Sequence, residues 1–352
     1  MLRLERRQKP SGLLVFAAPL LALLIAAALI AGLLQALDHD PWQGLQVFFV
    51  APFSSAYGLS ELCMKAVPLT LIALGLMICF RANLWNIGAE GQFILGAVCA
   101  SGVALRADQT TSPAIIWLIL LAGIGGGMAW AAITAWLKDR WHSSEILVSF
   151  MLVYVAISLL NYLVYGPWQD PDGYGFAQTK VFAAATQLPL VFDGLRINFG
   201  VLVALVAVLA TYLFLNRSLT GFALRVNGLA PVAARYAGFS RRQTLWIALL
   251  ISGGAAGLAG GLEAIGPLGQ LTPQLPLGYG FAAIIVVFVG RLQPLGIVLA
   301  ALLLAALLIG GELAQSRLGL PKALSSIFQG LLLLALLSCD ALIHYRLCWR
   351  RA

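Results

Sequence analysis

The run Asn83-Leu84-Trp85-Asn86-Ile87-Gly88-Ala89-Glu90-Gly91-Gln92 sets a carboxylate, three amides and two glycines between two apolar stretches. A charged side chain near hydrocarbon costs roughly 3 kcal/mol even on lenient insertion scales, so such a cluster needs a water-filled path, a partner or a function. Residues 86 and 90 are four apart and share a face if the segment is helical. Asn86, Glu90 and Gln92 are therefore candidates for lining a substrate path. The competing role is structural: capping the start of a broken helix and hydrogen bonding across a bundle. The sequence leaves both open.

A second run lies between two later apolar stretches, in the loop 216–243. It reads Leu219-Thr220-Gly221-Phe222-Ala223-Leu224-Arg225-Val226-Asn227-Gly228-Leu229-Ala230-Pro231-Val232-Ala233-Ala234-Arg235-Tyr236-Ala237-Gly238. Proline suits a first helical turn and glycine a stop, so a short helix is expected from Pro231 to Ala237. It is basic and rich in small residues, the character of a helix that docks in a groove of a soluble partner. The plainer alternative is a loop whose arginines only set membrane orientation.

No catalytic set accompanies these runs. His39, His142 and His344 are far apart in sequence, and there is no Gly-x-x-x-x-Gly-Lys-Ser/Thr loop for a nucleotide. Cys63, Cys79, Cys99, Cys339 and Cys348 show no metal-ligand spacing. The expectation is no cofactor, no metal and no catalytic residue. Gly253, Gly257 and Gly261, like Gly123 and Gly127, recur every four residues, which lets helix backbones approach closely. Packing is the favoured role for them.

The elements that must position these residues are membrane helices. Of 352 residues 61% are hydrophobic and 10% charged, with apolar runs of about 20 residues throughout. Ten spans are expected: 13–37, 62–80, 87–107, 114–137, 146–165, 198–215, 244–265, 279–290, 295–314 and 324–343. The fold class is all-α, one transmembrane domain over 1–352. The eighth span is too short to cross alone. Its approach from Gly266 to Gly278 carries Pro267, Pro273 and Pro276, which marks a re-entrant or broken helix. Arg3, Arg6, Arg7 and Lys9 precede the first span, which is too long for a signal core and is read as a retained helix.

The net charge of +8 does not point to nucleic acid, because the basic residues gather between apolar runs. With the N-terminus inside, only Arg106, Lys180, Arg196, Arg317 and Lys322 fall outside and Lys65 falls within a span; the other sixteen of the 22 Lys and Arg are cytoplasmic. Ten spans put both termini in the cytoplasm. They divide into two five-helix halves of opposite orientation, with the polar-started third span and the broken eighth in equivalent places, the pattern of an inverted-repeat transport path. The longer outer loop runs from Gly166 to Arg196.

Three stretches resemble one family. Asn86-Ile87-Gly88-Ala89-Glu90-Gly91-Gln92 is similar to its Asn-Ile-Gly-x-Glu-Gly-Gln signature. The loop from Leu224-Arg225 to Gly238 is similar to its coupling segment, with the small-residue core at Ala233, Ala234 and Gly238. Gly278-Tyr279-Gly280-Phe281 and Gly290-Arg291-Leu292-Gln293-Pro294-Leu295-Gly296 are similar to its Gly-x-Gly-Phe and Gly-Arg-x-x-Pro-x-Gly patterns. The family is the permease subunits of bacterial ABC importers, in the ribose and nucleoside branch that works with basic-membrane-protein lipoproteins. Their order and spacing fit nearly the whole chain. Asn227-Gly228-Leu229-Ala230-Pro231 departs from the family's more usual Gly-Glu-Asn-Pro-like sequence, and Arg81 and Trp85 are bulkier and more polar than usual there.

The resemblance implies a multi-pass permease of the bacterial inner membrane. A cytoplasmic ABC ATPase would supply the energy and bind the coupling residues Arg225, Pro231, Ala233, Ala234, Arg235 and Gly238. A second permease, homologous or identical, would complete the pore, and an extracytoplasmic lipoprotein would deliver solute near the Gly166–Arg196 loop. The cargo it implies is a nucleoside, with a simple sugar as the alternative. Outside the family, an ion-coupled secondary transporter would also use broken helices, but it needs a titrating residue in mid-span.

Overall fold

Apolar runs of membrane length can satisfy their backbones in lipid only as helices or closed barrels, and here they are helices. The computed structural model describes residues 2–6, 12–108, 110–191, 194–321, scattered helical positions between 324 and 339, and 345–349. Before residue 319, twelve α-helices follow in order among the described residues: α1 Gly12–Ala36, α2 Pro41–Phe49, α3 Ala56–Arg81, α4 Ala89–Ala104, α5 Ile115–Trp141, α6 Glu145–Tyr165, α7 Gly200–Arg217, α8 Leu219–Leu229, α9 Pro231–Tyr236, α10 Arg241–Glu263, α11 Tyr279–Val289 and α12 Pro294–Leu318. Each of the first nine expected spans has become a helix. The tenth, 324–343, lies in large part outside the described residues.

Among the described residues six helices are long and apolar enough to cross a membrane: α3, α5, α6, α7, α10 with its extension to Leu268, and α12. Leu21–Ala36, α4 and α11 are apolar but shorter. Two helices were not expected. α2 is started by Asp40, whose carboxylate accepts from the Trp42 N–H at 2.9 Å, with Pro41 in the first turn. α8 is started in the same way by Ser218, whose hydroxyl accepts from Gly221 N–H at 2.9 Å.

The chain forms two units, Met1–Leu62 with Leu303–Ala352, and Cys63–Leu302. In the first, Ile30, Leu34, Val47, Phe48, Ala314, Leu320 and Phe328 make the core, with the Phe48 and Phe328 rings edge to face at 4.8 Å. Leu2–Arg6 and Tyr345–Trp349 pair there as short antiparallel strands β1 and β2, the exception to an otherwise helical body.

The second unit is built around α4, which packs against α5 and α10 and has thirteen residues buried. The glycines make this possible. A Cβ on Gly257 would overlap the backbone of Gly123 and crowd Gly127, and one on Gly96 would overlap Gly257 itself. Three helix backbones therefore meet where only glycine fits. Gly261 differs, since a Cβ there would make an ordinary contact of 3.4 Å with Ala100. Gly257→Ala is expected to destabilise the bundle by about 1–3 kcal/mol through overpacking, whereas Gly261→Ala is expected to be tolerated. Thermal unfolding of the two variants in detergent measures the difference; equal midpoints would contradict it.

After α10 the chain makes one widened π turn, Ala264–Leu268, containing Pro267, and then runs without helix to Gly278. The break expected from the prolines is here. Its backbone is served by the loop 166–196: Leu188 N–H donates to Ile265 O at 3.1 Å, Phe182 N–H to Gly269 O at 2.9 Å, and Thr179 N–H to Leu271 O at 3.1 Å, while Leu271 N–H donates to the Thr179 hydroxyl at 2.9 Å. Non-helical backbone at membrane depth is stable only when protein or water satisfies it, and the loop supplies that protein.

Candidate functional site

The polar cluster sits at the corner between α3 and α4. Asn86, Glu90 and Gln92 are all buried. α4 starts at Ala89, so Asn86 stands in the irregular turn before it and does not share a helical face with Glu90. Its amide turns back instead. Asn86 Nδ2 donates to Gln92 Oε1 at 2.9 Å, Gln92 Nε2 donates to Asn86 Oδ1 at 3.1 Å, and Asn86 Nδ2 also donates to Ser252 Oγ of α10 at 3.0 Å. The amide pair closes the turn and ties it to α10.

Glu90 does something different. Its Oε1 accepts from Gly278 N–H at 2.9 Å and its Oε2 from Gly280 N–H at 2.5 Å. These are donors at the start of α11 that have no carbonyl partner within that helix. A Cβ on Gly280 would overlap the Glu90 backbone, so the N-termini of α4 and α11 abut. Two helix N-termini bring two partial positive charges together, and one carboxylate between them answers both. This explains the glycine spacing: Gly280 lets the helices touch, and Gly278, at φ 80°, turns the chain into α11.

The loop 216–243 folds as α8 and α9. Pro231 opens α9, and the helix ends at Tyr236. Phe239 N–H donates to Ala234 O at 3.0 Å and Gly238 N–H to Arg235 O at 3.1 Å, with Gly238 at φ 83°. These two bonds and the left-handed glycine form a Schellman stop. Ala234 is fully buried, while Pro231, Ala233, Arg235 and Gly238 are exposed. Arg225 lies exposed on α8. The outward surface is apolar as well as basic: Leu229 is 80% exposed, Val232 69% and Tyr236 90%. A groove of about 940 Å³ runs between Val232, Arg235, Tyr236 and Phe239.

The loop is anchored from beneath. Asn227 Nδ2 donates to Thr244 Oγ1 of α10 at 3.0 Å, and a Cβ on Gly228 would overlap the carbonyl of Arg81. Lys138 pairs with Glu145, joining α5 to α6, and Asp139 accepts from Arg242 Nε at 2.7 Å and Trp246 Nε1 at 3.1 Å. A cavity of about 380 Å³ lies among Asn83, Asp139, Asn227, Pro231 and Thr244. Sequence reasoning missed Ser252, Asn227 and Thr244 as partners, because each is a short polar residue whose role depends on a distant neighbour.

The two regions, the α3–α4 corner and the loop 216–243, thus hold buried polar bonds and an exposed small helix, with no metal-binding cluster among the described residues. The family described as the permease component of branched-chain amino acid transport systems matches residues 58–337. The chain belongs to this family of ABC transporter permeases. Among its relatives, a glucose ABC transporter permease of Haloferax volcanii is 36% identical over 98% of this chain and 93% of its own. A guanosine ABC transporter permease of Bacillus subtilis is 31% identical over 92% and 93%, and a nucleoside ABC transporter permease of Lactococcus lactis is 26% identical over 88% and 87%. No solved structure matches the chain. Membership makes the protein a multi-pass membrane permease of the ribose and nucleoside branch, whose ATP is hydrolysed by a separate subunit and whose transporter includes a solute-binding protein.

Proposed function

We propose that this permease carries nucleosides into the cell, driven by an ABC ATPase that grips α8 and α9 from the cytoplasm. The observation that carries the cargo is the alignment of guanosine and nucleoside permeases from two bacterial genera along most of the chain. A half-exposed aromatic cluster at the α3–α4 corner supports it: Phe80 and Phe288 stack at 5.2 Å, with Trp85 at 5.1 and 6.0 Å from them. Flat rings of this kind suit a nucleobase. A simple sugar is the second reading, favoured by the 36% identity to the glucose permease.

For coupling, the support is the exposed apolar and basic surface of α9 on a buried Ala234 footing. The excess of arginine and lysine in these segments supports a cytoplasmic side for them and for both termini. The outer loop then faces a lipoprotein receptor, and a second permease completes the pore. Two five-helix halves of opposite orientation would rock about the polar corner and the broken segment before α11. The permease supplies shape and coupling; it carries no catalytic residue, cofactor or metal in this reading.

Cargo is tested in proteoliposomes holding the permease with its ATPase, companion permease and receptor. Uptake of labelled guanosine is expected to depend on ATP and to be competed by other nucleosides but not by glucose. Competition by glucose alone would replace the nucleoside reading with the sugar one.

A further inference from the structure

α11 is held at both ends by one corner of the molecule. It has eleven residues, about 16 Å of helix, too short to cross a bilayer core of about 30 Å. Its N-terminal donors go to Glu90, in the first turn of α4. Its C-terminus closes with Arg291 N–H donating to Phe288 O at 3.0 Å and Leu292 N–H to Val287 O at 3.1 Å. Arg291 and Leu292 both have left-handed backbones, at φ 53° and 54°, an uncommon state for residues other than glycine that surrounding contacts must hold. One of those contacts is Arg81, the last residue of α3, whose Nη2 donates to Leu292 O at 2.5 Å. A carboxylate thus meets the positive end of α11 and a guanidinium its negative end, the arrangement that favours both charges. Phe80 and Trp85, from the same corner, pack on Phe288 of α11.

The other side of the corner touches the inner loop. Gly228 of α8 lies so close to the Arg81 carbonyl that a Cβ would overlap it, and one residue, Ala230, separates α8 from α9. Arg81 therefore stands between the loop and α11: its backbone bears on α8 and its side chain holds the cap of α11.

We propose that Arg81 and Glu90 are positioning residues that make α11 move with the α3–α4 corner, so that displacement of α8 and α9 reaches the broken segment through Arg81. The proposal rests on the reading that α9 receives the ATPase, and adds the route by which that push arrives. Neither residue needs to touch solute. A purely structural role would alter assembly, whereas a transmitting role alters the amount of solute moved per ATP.

The test uses the complete transporter in proteoliposomes, with labelled guanosine and glucose as probes and phosphate release measured in parallel. Arg81→Ala is expected to lower uptake per ATP hydrolysed about tenfold, the scale of one lost charged hydrogen bond, while hydrolysis continues. Arg81→Lys, which keeps a charged donor, should restore most of the ratio. An unchanged ratio in Arg81→Ala would overturn the proposal. A second measurement guards against loss of assembly: the amount of assembled Arg81→Ala transporter and its ATP hydrolysis are read in the same vesicles, and a fall in uptake that only tracks a fall in assembled, hydrolysing complex would overturn the proposal. If the unaltered transporter neither hydrolyses ATP nor imports either probe with it, the ATPase reading itself has failed, and this proposal with it.

Discussion

Replacing Glu90 with alanine is expected to abolish uptake more completely than any other single change in the permease. The substitution leaves the N–H groups of Gly278 and Gly280 without the acceptor they now share. An orphaned buried donor costs about 1–3 kcal/mol, so the pair costs about 2–6 kcal/mol. At about 1.4 kcal/mol per factor of ten, the correctly placed α11 falls about thirtyfold or more in population. The neighbouring N-termini of α4 and α11 also lose the negative charge between them. Glu90→Gln tests the electrostatic part separately, because it preserves shape and one good acceptor while removing the charge; it is expected to fall between wild type and alanine. Initial uptake rates, normalised to the amount of assembled transporter, give the ranking. Normal rates in Glu90→Ala would show that the corner does not depend on this carboxylate. Asn86→Ala should be milder, since Gln92 and Ser252 lose only neutral amide bonds.

The second large effect is expected at Ala234. Its side chain is fully buried beneath α9, and the six-residue helix has little structure of its own to resist a change. A leucine there has no room and must lift the helix. Gly238 fails for a different reason: at φ 83° any side chain strains the Schellman stop. Ala234→Leu is expected to leave membrane insertion intact, because the spans are untouched, and to reduce co-purification of the ATPase and ATP-dependent uptake about tenfold or more. Leu118→Ala, on an exposed face of α5 away from α9, serves as the control and should behave as wild type. Full ATPase retention and uptake by Ala234→Leu would remove α9 from the coupling surface.

Much of the fold is written locally. The helices at the first nine apolar runs follow from apolar length, six of them long enough to cross a membrane, and α9 follows from Pro231 and Gly238 because start and stop residues act within one turn. The break before α11 was legible from Pro267, Pro273 and Pro276, since proline removes backbone donors wherever it stands. α8 was not legible. Its run holds Gly221, Asn227 and Gly228, poor helix formers taken singly, and it becomes helical through the Ser218 cap and packing against Arg81 and Thr244.

The polar corner was legible as a cluster but not as a mechanism. Asn86 and Ser252 are 166 positions apart, and Glu90 and Gly278 188. No local periodicity joins residues at that range. The four-residue spacing of Asn86 and Glu90 pointed to a common helical face, and the chain instead starts its helix three residues after Asn86, where the amide is committed to Gln92 and Ser252. Gly278 and Gly280 were visible as a motif, while the reason for them, bare N–H groups and a bare Cα facing a carboxylate, needed the fold.

The most direct measurement of the whole account is solute entry into proteoliposomes that contain the complete transporter, with the driving force chosen by the experimenter. With ATP on the side of α9 and no ion gradient, labelled guanosine should accumulate, and removing the ATPase subunit should stop it. Accumulation driven by a proton or sodium gradient, with no nucleotide present, would contradict the account.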